Sequence, residues 1–332
     1  KGVINMNNYK KIGLTALAAS LVSVSAHAGA LTASGSASMN SEGHTGNGLN
    51  AGTTFSMANS VTFTGSGELD NGITASVSFE LDQGTANNSS NGFDNHSVTV
   101  SSDSLGTLTL AGHGGSSATS AIDTTAAGDM WDNFDGTTSN LGVTFAVGAK
   151  GQGVDNNAFF YKSPDLMDGL NVTLSYNPQG GGQTDSETGY GFNYTGVEGL
   201  SLSWATTDIE SGSATTSGDN TAYKVSYAFG PVTATYSDME ASVAGASNAL
   251  DGTSSSYALS YTVSDEISVT YGSETHDQGD SSVDMEIDGI TAAYTSGGMT
   301  ITAKMQSLDN GDFATGANND LDYWKLGASF AF

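Results

Sequence analysis

The sequence predicts an all-β protein, a transmembrane antiparallel β-barrel of 16 strands with short turns at one end and long loops at the other. Three observations predict it. Past residue 28, apolar residues recur at every second position in runs of about ten, the signature of a strand with one apolar and one polar face. Tight turns alternate along the chain with long connections rich in Asn, Asp, Gly, Ser and Thr. No stretch beyond the first 28 residues has helical periodicity.

Residues 1–28 stand apart. Lys10-Lys11 precede an apolar stretch over 12–24, and Ala26-His27-Ala28 closes it. That order is a secretory signal peptide, expected to start at Met6 and to be cleaved after Ala28. The apolar stretch is shorter than the roughly 20 residues a membrane-crossing helix needs. The barrel is expected over 29–332.

The first strand is expected over 30–39, followed by a loop over 41–58. Beyond the turn Asp70-Asn71-Gly72, Ile73, Ala75, Val77, Phe79 and Leu81 form one face, and Thr74, Ser76, Ser78 and Glu80 the other. A loop over 83–92 leads to a hairpin turning at 101–104, and the longest connection, 112–155, comes next. The hairpin at 164–169 sets Leu170, Val172, Leu174 and Tyr176 against Asn171, Thr173 and Ser175. Turns at 196–199, 230–231, 264–266 and 296–298 continue the rhythm, with loops near 178–187, 209–219, 240–252, 276–282 and 308–320. In 283–294 the apolar parity changes near Gly289, which predicts a β-bulge there. The last run sets Trp324, Leu326, Ala328, Phe330 and Phe332 against Tyr323, Lys325, Gly327 and Ser329. Seven hairpins make fourteen strands, and 30–39 pairing with 321–332 closes the ring at sixteen.

Closure is required because each unpaired backbone group in hydrocarbon costs several kcal/mol. Sixteen strands leave a lumen too wide for side chains to fill. An apolar content of 37% suffices when only half of the strand positions face lipid. There is no cysteine, so no disulfide framework holds the fold. The chain carries 35 acidic residues against 8 lysines and no arginine. Nucleic acid is excluded as a partner by like-charge repulsion, whereas cations are concentrated wherever a pore focuses this field. No P-loop, HExxH, GxSxG or cysteine nucleophile is present, so no enzymatic activity is expected.

Three segments carry a family likeness: Leu105-Gly106-Thr107-Leu108-Thr109-Leu110, residues 158–164 (AFFYKSP) before Gly169-Leu170, and Ser329-Phe330-Ala331-Phe332. In them the chain resembles the Gram-negative general porins, especially the acidic alphaproteobacterial kind. The resemblance implies a homotrimer in the cell outer membrane, surrounded by its lipid and passing small hydrophilic solutes and ions by passive diffusion. It implies a third loop folded into each lumen, with acids facing basic residues on the wall. It also implies that Phe330 and Phe332 form the signal read by the barrel-assembly machinery. The usual wall partners are arginine clusters, and this chain has none.

The third loop, 112–155, carries Asp123, Asp129, Asp132 and Asp135, the candidate constriction acids. Gly112-His113-Gly114-Gly115 gives its start freedom to bend inward, Trp131 and Phe134 are candidate anchors, and 141–149 is a candidate packing segment. Lys162, Lys224, Lys304 and Lys325 each neighbour residues of lipid-facing parity, so all four are expected in the lumen. There they are candidates for the positive side of a weakened constriction, or simply scattered wall charges. Glu68, Glu80, Asp284, Glu286 and Asp288 fall on polar-parity positions and are expected on the lumen wall. Tyr176, Trp204, Phe229, Tyr236, Trp324 and Phe330 are expected in an aromatic girdle. No cofactor is expected. The acidic tips Asp309-Asn310-Gly311-Asp312 and Asn318-Asn319-Asp320 offer oxygen ligands to Ca²⁺, though without EF-hand spacing.

The expected function is a water-filled, cation-preferring channel. Two other readings stand beside it: a substrate-specific outer-membrane channel, and a secreted β-rich surface protein or adhesin.

Overall fold

The computed structural model describes residues 31–45, 52–82, 93–122, 125–134, 156–178, 185–211, 217–243, 251–316 and 319–332. The signal peptide expected over 1–28 and the packing segment expected at 141–149 lie outside them.

Sixteen strands form one closed antiparallel barrel. The first five are β1 (Thr32–Thr45), β2 (Gly52–Glu68), β3 (Thr74–Asp82), β4 (His96–Ser102) and β5 (Gly106–His113). After the third loop come β6 (Ala158–Lys162), β7 (Leu170–Asn177), β8 (Asp185–Tyr194), β9 (Leu200–Ser211) and β10 (Gly218–Phe229). The ring is completed by β11 (Val232–Val243), β12 (Gly252–Thr262), β13 (Ile267–Gln278), β14 (Met285–Ser296), β15 (Met299–Asp309) and β16 (Leu321–Ala331). Every strand pairs with its sequence neighbours, and β1 pairs with β16, Ser36 opposite Ala331 and Gly43 opposite Trp324. Closure satisfies the backbone of both terminal strands, the only way a sheet survives in hydrocarbon.

Two expectations need correcting. The loops are shorter than the sequence indicated: β1 and β2 extend through most of 41–58, which was expected as loop. β1 and β2, of 14 and 17 residues, run about 46–56 Å. Even tilted by about 45° they rise about 33–40 Å, beyond an apolar band of about 25 Å. Above the membrane, side chains on both faces meet water and the alternation fades. There is also no bulge in β14, which pairs without a break from Glu286 to Tyr294 against β13 and from Glu286 to Ser296 against β15. The parity change near Gly289 arises because Met285 and Ile287 are buried on the inner face.

On the outside, Tyr176, Tyr190, Trp204, Tyr223, Tyr236, Tyr257 and Tyr271 supply one aromatic ring from each of β7 through β13. Trp204 lies opposite Tyr223, and Tyr236 opposite Tyr257. Rings at this level bridge apolar tails and the wet interface.

Candidate functional site: the third loop and the inner wall

The third loop runs along the inner wall, held strand by strand. The amide of Ala118 donates to Ser175 Oγ on β7 (2.9 Å), and Thr119 shares a hydroxyl bond with Thr207 on β9 (2.8 Å). Further on, the amides of Ala126 and Ala127 donate to Ser237 on β11 (2.8 Å) and Ser256 on β12 (3.0 Å). Asn133 Nδ2 donates to Gln306 Oε1 on β15 (2.9 Å). His44 Nε2 on β1 lies 2.6 Å from the Asn133 carbonyl oxygen, which only accepts, so that nitrogen carries the proton. Loop amides that would otherwise be stranded against the wall thus find hydroxyls projecting from it.

Two apolar contacts add to this ladder. Ala118 and Ile122 pack on Ala205 and Ala222. Met130 and Phe134, the latter 2% exposed, pack on Met285, Ile287, Leu308, Leu321 and Tyr323. The loop lies close enough to require glycine beneath it: a Cβ on Gly272 would meet Ala127 Cβ at 2.6 Å. A glycine inside a strand commonly marks such an approach.

The strongest attachment is Glu274 on β13, wholly buried at 0% exposure. Its carboxylate accepts the amides of Met130 (3.0 Å) and Trp131 (3.2 Å) and the hydroxyl of Thr125. His276 Nε2 stands 3.4 Å away. A buried carboxylate needs several donors to offset its lost hydration, and here the loop supplies them. Glu274 and His276 were not singled out in the sequence, where they fall at the edge of an expected loop. The usable signal was Gly272 two residues before Glu274, with acid and imidazole on the same side of the strand.

The inner face follows from these contacts, and it sorts the candidate residues. Asp129, with φ of 50°, accepts the Thr125 amide through Oδ1 (2.9 Å) and so braces the loop's turn. Asp132 is exposed at the rim of a pocket between loop and wall. Asp123 and Asp135 lie outside the described residues. Lys162, Lys224, Lys304 and Lys325 all lie on the inward parity. Lys224 Nζ donates to the Thr125 carbonyl (3.4 Å), and Lys304 is the register partner of Lys325. Lys325 is in turn opposite Glu42 on β1, placing both signs side by side on one level of the wall. Three of the lysines therefore lie on the loop's own side of the lumen, while Lys162 sits at the short-turn end of β6.

Glu80 faces inward and accepts Asn95 Nδ2 (2.9 Å), and Glu68 lies on the same face at the short-turn rim. Asp284 and Glu286 are corrections, together with Asp288. They alternate with inward Met285 and Ile287 and so face outward, where Asp288 accepts the Tyr271 hydroxyl (2.8 Å). The sequence pattern misplaced them because the loop turns the upper inner face of β14 apolar. Opposite the loop, the described inward positions of β2–β5 are chiefly Ser and Thr with Glu80, and none is a lysine. Among the described residues, no group of three or more His, Asp or Glu side chains converges as a metal site.

The sequence model of the Gram-negative porin family matches residues 13–332. The chain belongs to that family. The porin is similar in fold to the anion-selective porin from Comamonas acidovorans, with a TM-score of 0.67 at 17% identity, covering 91% of this chain and 99% of that one. It is similar to a mutant Rh. blastica porin (TM-score 0.63, 18% identity, 91% and 100% covered). A porin structure refined at 1.8 Å gives the same TM-score at 19% identity, with 91% and 100% covered. No curated protein matches the porin by sequence. The family and the sixteen-stranded fold make this an outer-membrane channel protein rather than an enzyme or a secreted adhesin.

Proposed function

We propose that this porin is a cation-preferring channel for passive diffusion of small hydrophilic solutes and ions. The observation that carries the reading is the charge of the lumen. No arginine exists in the chain. Among the described residues the inner face of β2–β5 holds Glu68 and Glu80 and no lysine, and Glu42 on β1 and Asp132 on the third loop add carboxylates to the lumen. A lumen lined by fixed negative charge concentrates cations and repels anions. The Comamonas relative is anion-selective by its description, so the barrel alone does not set the sign; the side chains do. Reversal potential across a KCl gradient, measured on refolded protein in a planar bilayer, tests this. A potential favouring K⁺ is expected, and Cl⁻ preference overturns it.

Self-association as a homotrimer belongs to the same proposal. On β1–β5 the outward rings are phenylalanines, Phe55, Phe63 and Phe79, so the Tyr and Trp girdle of β7–β13 is not continued there. Outward positions there hold Met39, Phe55, Met57, Val77, Val98 and Leu110, with no Tyr, Trp or acid among the described residues. Such a face suits another protein surface better than a lipid interface. Export through the signal peptide at 1–28, insertion through Phe330 and Phe332, and Ca²⁺ at the acidic tips complete the proposal as sequence-based expectations.

A further inference from the structure

A pocket of about 480 Å³ opens where the third loop meets β1, β2 and β16. Its lining includes Glu42, His44, Thr54, Asp132, Asn133 and Tyr323. Two of these are carboxylates, Glu42 from the wall and Asp132 from the loop. No lysine lines it. We propose that this pocket is a binding site for small hydroxylated organic cations of amino-sugar size. The proposal rests on the porin reading, and it adds to that reading a solute class and the place where the solute pauses.

The pocket is built rather than incidental. Tyr323 donates its hydroxyl to Glu42 at 2.6 Å, fixing the carboxylate. His44 is clamped by the Asn133 carbonyl at 2.6 Å and lies against Tyr323 with ring centroids 4.9 Å apart and planes tilted by 37°. Phe134 closes the same cluster from the loop, edge-on to His44 at 5.9 Å. Side chains fixed before the solute arrives are not ordered at its expense, which favours binding. A primary ammonium between Glu42 and Asp132 gains charge-assisted hydrogen bonds to both. The Thr54 hydroxyl and the Asn133 side-chain oxygen can meet the solute's hydroxyl groups, since both Asn133 Nδ2 hydrogens are already given to Met130 and Gln306. The volume lies within the ordinary range of small-molecule sites. Lys325, the register partner of Glu42, is the nearest positive charge and opposes the ammonium. Its removal should therefore tighten binding.

The test uses glucosamine at about pH 6, where its amine is protonated, with N-acetylglucosamine as the uncharged control. Binding is read by saturation-transfer NMR on the detergent-folded protein. Single-channel conductance in KCl is recorded separately on the same preparations. Glucosamine should bind saturably and N-acetylglucosamine at least tenfold more weakly. Glu42→Gln and Asp132→Asn should each weaken glucosamine about tenfold, with channels still open in KCl, and Lys325→Ala should strengthen it. Equal binding of the two sugars, or glucosamine binding unchanged in both acid variants, overturns the site while leaving the channel standing. Glucosamine binding without any conductance overturns the channel and leaves the site.

Discussion

Glu274, buried on β13, accepts the Met130 amide of the third loop at 3.0 Å, so a wholly buried carboxylate of the wall ties down the middle of the loop. Hydrogen bonds to a charged group are worth about 1.5–3 kcal/mol each, and a buried donor left without its partner is costly. Glu274→Ala should release this part of the loop. Single-channel conductance should rise and become noisier, while the barrel still migrates as a folded species in an unboiled gel. Conductance indistinguishable from the parent would show that the remaining hydroxyl contacts hold the loop alone.

Gly272→Val tests the same attachment by volume instead of charge. A side chain there would collide with Ala127, whose Cβ lies 2.6 Å from the position a Cβ would take. Overpacking of this kind costs about 1–3 kcal/mol. The loop should yield before the strand does, since β13 is paired on both sides. Trypsin or another protease added to folded protein should cut in the loop faster than in the parent.

Glu80 and Glu286 separate the two faces of the wall. Glu80→Gln should lower the preference for K⁺ over Cl⁻, most clearly at low ionic strength, where screening is weak. Glu286→Gln should leave it unchanged because that carboxylate points away from the lumen. Equal effects from both would contradict the inner face defined by Met285 and Ile287.

Met57→Glu addresses assembly. Buried against another copy of the chain, an acid on the girdle-free face would find no charge to meet it, and an unpaired buried charge is costly. Size-exclusion chromatography with light scattering should show monomers where the parent chain forms the proposed trimer. A variant that stays trimeric would place the contact elsewhere on the barrel.

Much of this architecture was legible because period-two patterning is a local property. Leu170 to Tyr176 and Tyr257 to Val263 alternate as written, and their strands lie where the alternation put them. What escaped was whatever depended on the loop inside. Met285 and Ile287 look like a strand whose faces have slipped, but they form an apolar floor under Met130 and Phe134. Glu286 and Asp288 were misassigned with them for the same reason. Glu274 looked like one more acid in an acidic chain, since its partners lie more than a hundred residues away. The strand ends at 41–45 and 52–58 were hidden because above the bilayer nothing forces one face to be apolar. Phe134 was correctly suspected as an anchor, as an aromatic in so polar a loop has few other uses.

The seam between β1 and β16 joins the two ends of the chain, whereas every other pairing is between neighbours in sequence. Fifteen pairings join strands adjacent in sequence, while the sixteenth must bring together strands from opposite ends of the barrel's sequence. Until Ser36 finds Ala331, the growing sheet has two open borders, each a row of unpaired amides and carbonyls ready to add any extended chain. Most of the entropy lost in ring formation falls on that single late step. The ring therefore has a vulnerable interval between threading and locking, and its length is set by how soon β16 reaches β1.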